Sequence, residues 1–495
     1  MRKVGFNWLQ EKFNITGFRP THTSYIGTIE KTELSSTQTI IRTFKSKYDI
    51  TTNNPIHHLE FALKYDDLNL AFIKEVFINI GYDKIVKHIA EKPNRKYARI
   101  IGYLYEFTVG KLIDINITNS NYEDVLSTSK YFTGTIIKIP KWKINDNFLG
   151  TKDFCPIIRK TTELTELLDW NIEEAIENLK HKYSPEIFKR ASNYLYKKES
   201  KSSSEIEKEE PTEDRIEKFI ILLEEAGQKT FEESLSEKEL VRLQNTIVDP
   251  RYADKGFRNF QNYVGQTMRD FTQKIHYVCL PPQFVTSLMQ GIVALNEKNT
   301  TTETIIKATM VSFGYVYVHP FEDGNGRIHR YLIHDILVRN GTVPNSTILP
   351  VSAQILANMN EYDTTLELVS KQIGRKVNYS LSDSGEMVVN NPSEIEAFYR
   401  FPDFTNHTIF LAKAIQSTLH KDIPEELIFL QNYDKLKSEI QQIVDMPDKK
   451  IDRMILFLHQ NKGKLATRKR KYYKELSDAE IGFMEEAYFG VFGKD

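Results

Sequence analysis

Two stretches in the second half of the chain set apolar residues at helical spacing on either side of a short polar break. TTETIIKATMVSFGYVYVH (301–319) carries Ile305, Ile306, Met310, Val311, Phe313 and Val316. That set covers most of a helix circumference and predicts a central, buried helix. Pro320 biases the residue before it away from helical backbone, so the helix is expected to stop at His319. GRIHRYLIHDILVRNG (326–341) then resumes helical spacing through Ile328, Leu332, Ile333, Ile336 and Leu337, with Asn340-Gly341 as its stop. The centre of the chain therefore reads as helix, loop, helix.

Around it, residues 1–198 read as a mixed accessory region. TIIRTF (39–44) and YFTGTIIKI (131–139) alternate as strands do. LEFALKYDDLNLAFIKEVFINI (59–80), YARIIGYLYEFTVGKLI (97–113) and IEEAIENLKHKY (172–183) have helical periods. Residues 198–216 are almost wholly polar and read either as an exposed linker or as a helix opened by serine caps. RIEKFIILLEEAG (215–227) is a helix ending at a glycine, and further helices are expected over 235–246 and 282–297. The tail has helical periods interrupted by the basic run Arg468-Lys469-Arg470-Lys471. A small winged-helix or helix-turn-helix module is one reading of it, and a solvated face or docking segment the stronger one.

Composition narrows the function classes. The chain has 495 residues, 40% hydrophobic and 12% aromatic, enough for a sizeable core. Lys plus Arg total 66 against 67 Asp plus Glu, so global charge offers no argument for nucleic acid or an anionic membrane. The 2 cysteines, Cys155 and Cys279, supply neither a disulfide framework nor a cysteine zinc site. No secretory leader and no apolar run long enough for a membrane span is evident, which makes a cytoplasmic protein the base expectation.

The chemistry sits in His319-Pro320-Phe321-Glu322-Asp323-Gly324-Asn325-Gly326-Arg327-Ile328-His329-Arg330. Gly324 and Gly326 permit close backbone approach ahead of a helix whose first N–H groups lack partners, and such a helix start receives anions. Arg327 and Arg330 share a helical face, and two guanidiniums there suit a polyphosphate. Asp323 could hold Mg2+, a hard cation usually shared with phosphates. His319 is the nearby group able to accept a proton near neutral pH. Phe321 reads as an apolar anchor. His329 and His334 diverge on the helix and read as core or surface histidines. Neither a P-loop nor a dinucleotide-binding glycine motif is present.

These twelve residues resemble the signature of the Fic (Fido) family, H-x-F-x-[DE]-G-N-G-R-x-x-R, at every fixed position. The likeness extends from about residue 235 to about 385 and includes RLQNTIVDPRY (242–252), FRNFQNYVG (257–265) and KIHYVCLPPQFVTSLM (274–289). It implies a mainly α fold: an all-helical core over 235–385 with a short β-hairpin flap, a mixed α/β N-terminal region, a connector over 386–425 and a helical C-terminal region over 426–495. It also implies a protein adenylyltransferase that moves AMP from ATP, with Mg2+, to a Tyr, Thr or Ser hydroxyl of a protein, self-modification included. His319 would be the base and Asp323 the metal ligand. Asn325 with the Gly324 and Gly326 backbone would form the anion hole, Arg327 would meet the outer phosphates and Arg330 the γ-phosphate. Lys274, Ile275, His276, Tyr277 and Val278 resemble the second flap strand, which docks a target by strand addition.

A subset of that family restrains itself through [ST]-x-x-x-E-[GN] on a helix laid over the site. Residues 199–234 resemble that helix and its lead-in. Ser203 takes the first position and Glu207 the glutamate, while Lys208 departs from Gly or Asn. The resemblance implies that Glu207 pairs with Arg330 where the γ-phosphate belongs, leaving Glu205 and Glu209 as solvated acids. The alternatives are transfer of another nucleotide or phosphoryl group, and a DNA-binding regulatory module in which the nucleotide site is secondary. The family's habit suggests a homodimer.

Overall fold

Burial follows the apolar pattern most closely at the centre of the chain. In the computed structural model, which describes every residue except 19, 36–38, 119–120, 270–271, 346, 383 and 494–495, the central helix is Thr304–Val318 and the loop helix Asn325–Arg339. Most residues of both are buried. The central helix meets neighbours on all sides: a Cβ on Gly314 would lie 2.7 Å from the Phe154 ring. It ends where Pro320 requires, with His319 in the left-handed region at φ 53°. The loop helix ends at Arg339, and Gly341 beyond it has φ +76°.

The chain divides into two units, one of Met1–Trp170, Ser200–Asn345 and Ser352–Ala414, the other of Asn171–Glu199, Ser346–Val351 and Ile415–Asp495. The larger unit begins with a four-stranded sheet in the order Arg2–Lys3, His22–Gly27, Ile40–Lys45, Lys31–Leu34, its middle pair parallel. The expected helical run over 59–80 is two helices, Pro55–Tyr65 and Leu70–Ile80. The break is chemical: Asp66 accepts from the Phe6 backbone N–H at 2.8 Å, and Asn69 caps the second helix at Phe72 N–H. The strand expected over 131–139 narrows to Ile137–Ile139. At Gly134, before that strand, the Lys298 and Phe148 carbonyls come so close that a Cβ would meet both.

The polar stretch after residue 198 is helical, but the serines end the helix rather than open it. Pro185–Ile206 is one helix, and Ser200, Ser202, Ser203 and Ser204 are buried near its C-terminus. A second helix, Glu213–Glu224, starts from a Thr212 cap. The flap is the antiparallel pair Tyr263–Thr267 and Gln273–Val278, a two-stranded sheet of its own with a bulge at Val264/Gly265. The fold is thus mainly α, with a mixed N-terminal region and a helical C-terminal tail.

In the smaller unit, Ile423–Ile443, Asp448–Gln460 and Asp478–Phe492 surround Leu436, Ile451, Met454, Leu458 and Met484. The described residues of this tail hold no strand. Arg470 of the basic run donates to the Tyr473 and Leu476 carbonyls, and Lys469 lies 4.2 Å above the Phe457 ring. Among the described residues no helix is long and apolar enough to cross a membrane.

Candidate functional site

The loop between the two buried helices is tied down from four directions. Asn325 spends its carboxamide on Phe321, accepting from the N–H at 3.0 Å and donating to the carbonyl at 2.9 Å. Phe321 is fully buried against Phe257, ring centroids 5.7 Å apart. Asn262 donates to the Phe321 and Glu322 carbonyls. Gln244, also buried, donates to the Asp323 carbonyl and to Asp254, which in turn accepts from the Glu322 N–H at 3.2 Å. Burial raises the Asp254 carboxyl above its ordinary range, against the pull of that N–H.

The loop helix opens at Gly324, φ +85°, and no side chain caps it. Its first N–H groups therefore face the place where an anion would sit. Gly326 is the residue that makes room there: a Cβ would fall 2.0 Å from Glu207 Oε1. The Glu207 carboxylate thus lies against Gly326 at the start of the loop helix, bonded to Arg330. Asp323 has a half-exposed side chain beside it and accepts from the Gly324 N–H at 2.6 Å. Among the described residues no cluster of three or more metal-ligating groups exists. One exposed carboxylate beside an uncapped helix start is a donor set that fits Mg2+, a cation that takes most of its ligands from water and phosphate.

His319 Nδ1–H donates to the Val316 carbonyl at 3.2 Å, which leaves the lone pair on Nε2. Burial, helped by the Arg258 charge, lowers its pKa to about 4, so the imidazole is neutral at physiological pH with a lone pair open to a proton. Below it, Tyr277 of the flap donates to the Tyr317 carbonyl, with its ring 6.5 Å from the imidazole. Lys274 and His276 are exposed on the same strand, while Ile275 is half-buried and Val278 buried.

Both signature arginines are buried and engaged. Arg330 donates from Nε to Ser203 Oγ at 2.8 Å, and from Nη2 to the Ser203 carbonyl at 2.6 Å and Glu207 Oε1 at 2.9 Å. Arg327 donates from Nη1 to Glu209 Oε2 at 2.9 Å and from Nη2 to Asp323 at 3.4 Å. Glu209 is therefore not a solvated acid: it bridges Arg327 and Arg215. Glu205 is exposed. Burial lowers the Arg327 pKa, with Glu209 opposing it.

Lys208 stands just past the helix end with φ +59°. Gly and Asn adopt that left-handed position with least strain, and lysine there costs roughly 1–2 kcal/mol. The turn nevertheless closes, because the Lys208 N–H bonds the Glu205 carbonyl and the Glu209 N–H the Ser204 carbonyl. His329, which donates to the Ser312 carbonyl, and His334 are buried in the core and held neutral. Spacing alone missed Glu209, Gln244, Asn262 and Arg258. The last three lie in segments that carry the family likeness, but only the fold gives them partners.

Residues 234–337 match the model of the Fic/DOC family. A probable protein adenylyltransferase of Aquifex aeolicus is 28% identical over 207 residues, which are 38% of this chain and 62% of that protein. A protein adenylyltransferase of Caenorhabditis elegans is 35% identical over 108 residues, 21% of this chain and 19% of that one. The chain thus spans less than two thirds of either relative. A solved Fic family protein from Desulfovibrio desulfuricans covers 58% of this chain and 81% of its own, at 17% identity and a TM-score of 0.39. With the signature loop between its buried helices, the segment 234–337 is a Fic/DOC-family domain.

Proposed function

We propose that this chain is a self-restrained protein adenylyltransferase. One observation carries the reading. A neutral imidazole with its Nε2 lone pair free stands in the same loop as an uncapped helix start, where the Glu207 carboxylate lies against Gly326 and on buried Arg330. ATP would lie with its phosphates over Gly326, Arg327 and Arg330, and Mg2+ would be held by Asp323 and would offset charge on the departing pyrophosphate. His319 Nε2 takes the proton of an incoming Tyr, Thr or Ser hydroxyl. That oxygen bonds the α-phosphorus as the bond to pyrophosphate breaks, so AMP ends on the protein. The residues contribute mainly position and charge. The flap strand would hold the target by backbone pairing.

Restraint follows from which arginines are taken. Glu207 lies against Gly326 and draws Arg330, while Glu209 draws Arg327. A nucleotide can productively order its outer phosphates only after these carboxylates give way. The test incubates wild type, E207G and E207G/H319A with MgATP labelled at the α- or γ-phosphate. Label from the α-phosphate only, strongest in E207G and reduced about 10²–10⁴-fold by H319A, is expected. Retained γ-label would mean phosphoryl transfer and would overturn the reading.

A further inference from the structure

One buried charge in the domain has no ionic partner to explain it. Arg258 is 4% exposed, and among the described residues no carboxylate pairs with it. Its guanidinium is spent on backbone carbonyls instead. Nε donates to His319 at 2.7 Å, and Nη2 to Val318 at 3.1 Å and Leu280 at 2.6 Å. Nη1 donates to Phe260 at 2.8 Å, and the Arg258 N–H to the Pro320 carbonyl at 2.8 Å.

These carbonyls belong to two structures. Val318 and His319 end the central helix, where carbonyls lose their intrahelical donors and a cation is favoured. Phe260 precedes the first flap strand, Tyr263–Thr267, and Leu280 follows the second, Gln273–Val278. His319 has φ 53°, a conformation disfavoured for a residue with a side chain. Its imidazole direction follows from that backbone, because Nδ1 bonds a carbonyl of the same turn.

We propose that Arg258 is a positioning residue for the transfer reaction: its planar fork fixes His319 at a set distance from the roots of both flap strands, and so aligns base with docked hydroxyl. The claim rests on the proposed transferase reading. Lysine cannot replace the fork, since an ammonium lacks a fixed multi-donor geometry. The Arg258 charge also disfavours the imidazolium, against Glu207 and Asp323, which favour it. Tyr277, the flap group facing the ring, stays neutral because burial holds its pKa well above the ordinary phenol value.

The experiment adds R258K and R258Q to the E207G protein, with Y399F as a control. Tyr399 donates to the Val278 carbonyl at 2.6 Å and is equally buried, yet makes no hydrogen bond to His319. Three quantities are read: α-label incorporation, MgATP affinity by calorimetry, and the titration of His319 by NMR of labelled histidine, assigned with H319A. R258K is expected to slow labelling by about 10–100-fold, as misplacement near 1 Å does, with nucleotide affinity nearly unchanged. R258Q should slow it similarly and also move the His319 midpoint upward from about 4. Y399F should lower the unfolding temperature without moving the midpoint. R258K labelling at the parent's rate, or an R258Q midpoint that stays in place, would overturn the proposal. If the E207G parent takes no label, the transferase reading fails first, and the R258Q midpoint alone then decides whether Arg258 acts on His319.

Discussion

Two buried charge clusters in the larger unit handle their charges in opposite ways. In the N-terminal region His22 sits between two carboxylates, Nε2 3.1 Å from Asp66 and Nδ1 3.5 Å from Asp67. Asp67 also accepts from Thr21 and Arg159, and Arg159 continues to Asp403. Burial pushes the His22 pKa down, but the two carboxylates outweigh it and the net shift is upward. In the loop 319–330, burial goes unopposed enough to lower His319 to about 4. There the arginines are paired with glutamates on the turn after Ile206, outside the matched domain, and Glu207 remains 37% exposed. The carboxylates around His22 are shielded and their attraction is strong, whereas the Arg330 partner lies partly exposed at a helix end, where water screens the pair.

The largest expected effect breaks the first cluster. His22→Leu leaves buried Asp66 without its cation and Asp67 with Arg159 but not His22, and should destabilise by about 3–5 kcal/mol, read by urea unfolding. The sign of its pH dependence is fixed by the upward shift. The His22 contribution is full below the unfolded value of roughly 6.5 and fades as pH rises through the higher folded value. Burial pushes the Asp67 carboxyl up, but the hydrogen bonds and charges of His22, Thr21 and Arg159 together outweigh it and hold it below its ordinary value, so its share fades as pH falls below roughly 3.8. The difference between wild type and His22→Leu should therefore be larger at pH 5.5 than at pH 8.5. A pH-independent difference would mean that packing, not charge, holds this cluster.

The second effect belongs to the loop. With His319 at about 4, transfer by E207G should be nearly flat from neutral pH to pH 5. A base with an ordinary histidine pKa would have lost roughly 30-fold by then. An acid limb centred near 6.5 would place another group in the role of base.

The smallest effect separates the two glutamates. Glu209 is partly exposed, 29% at the side chain, so its hold on Arg327 is worth about 1 kcal/mol at most. Adding E209Q to E207G should raise the labelling rate by about fivefold or less. A fall in rate would show that Glu209 orients Arg327 for the reaction instead of restraining it.

The two regions were also unequally legible. The loop and its helices could be read because each residue type there has a local reason. Pro320 ends a helix, Gly324 takes positive φ, and Gly326 leaves a gap that any Cβ would fill. The N-terminal network gave no signal, since His22, Asp66, Arg159 and Asp403 are distant in sequence and each alone reads as surface charge. The helix end at 203–209 was intermediate. Ser203 and Glu207 carried a family pattern, whereas Glu209 looked solvated until Arg327 and Arg215 were found beside it.

The buried helix pair, the break at His319-Pro320 and the chemical character of the loop are written in the order of residues, because periodicity and backbone restriction act between near neighbours. Which charges meet depends on the folded chain. It set Arg258 behind His319, Glu209 on Arg327, and His22 between two aspartates. Electrostatic energy depends on distance and burial in three dimensions, and neither is written in spacing along the chain.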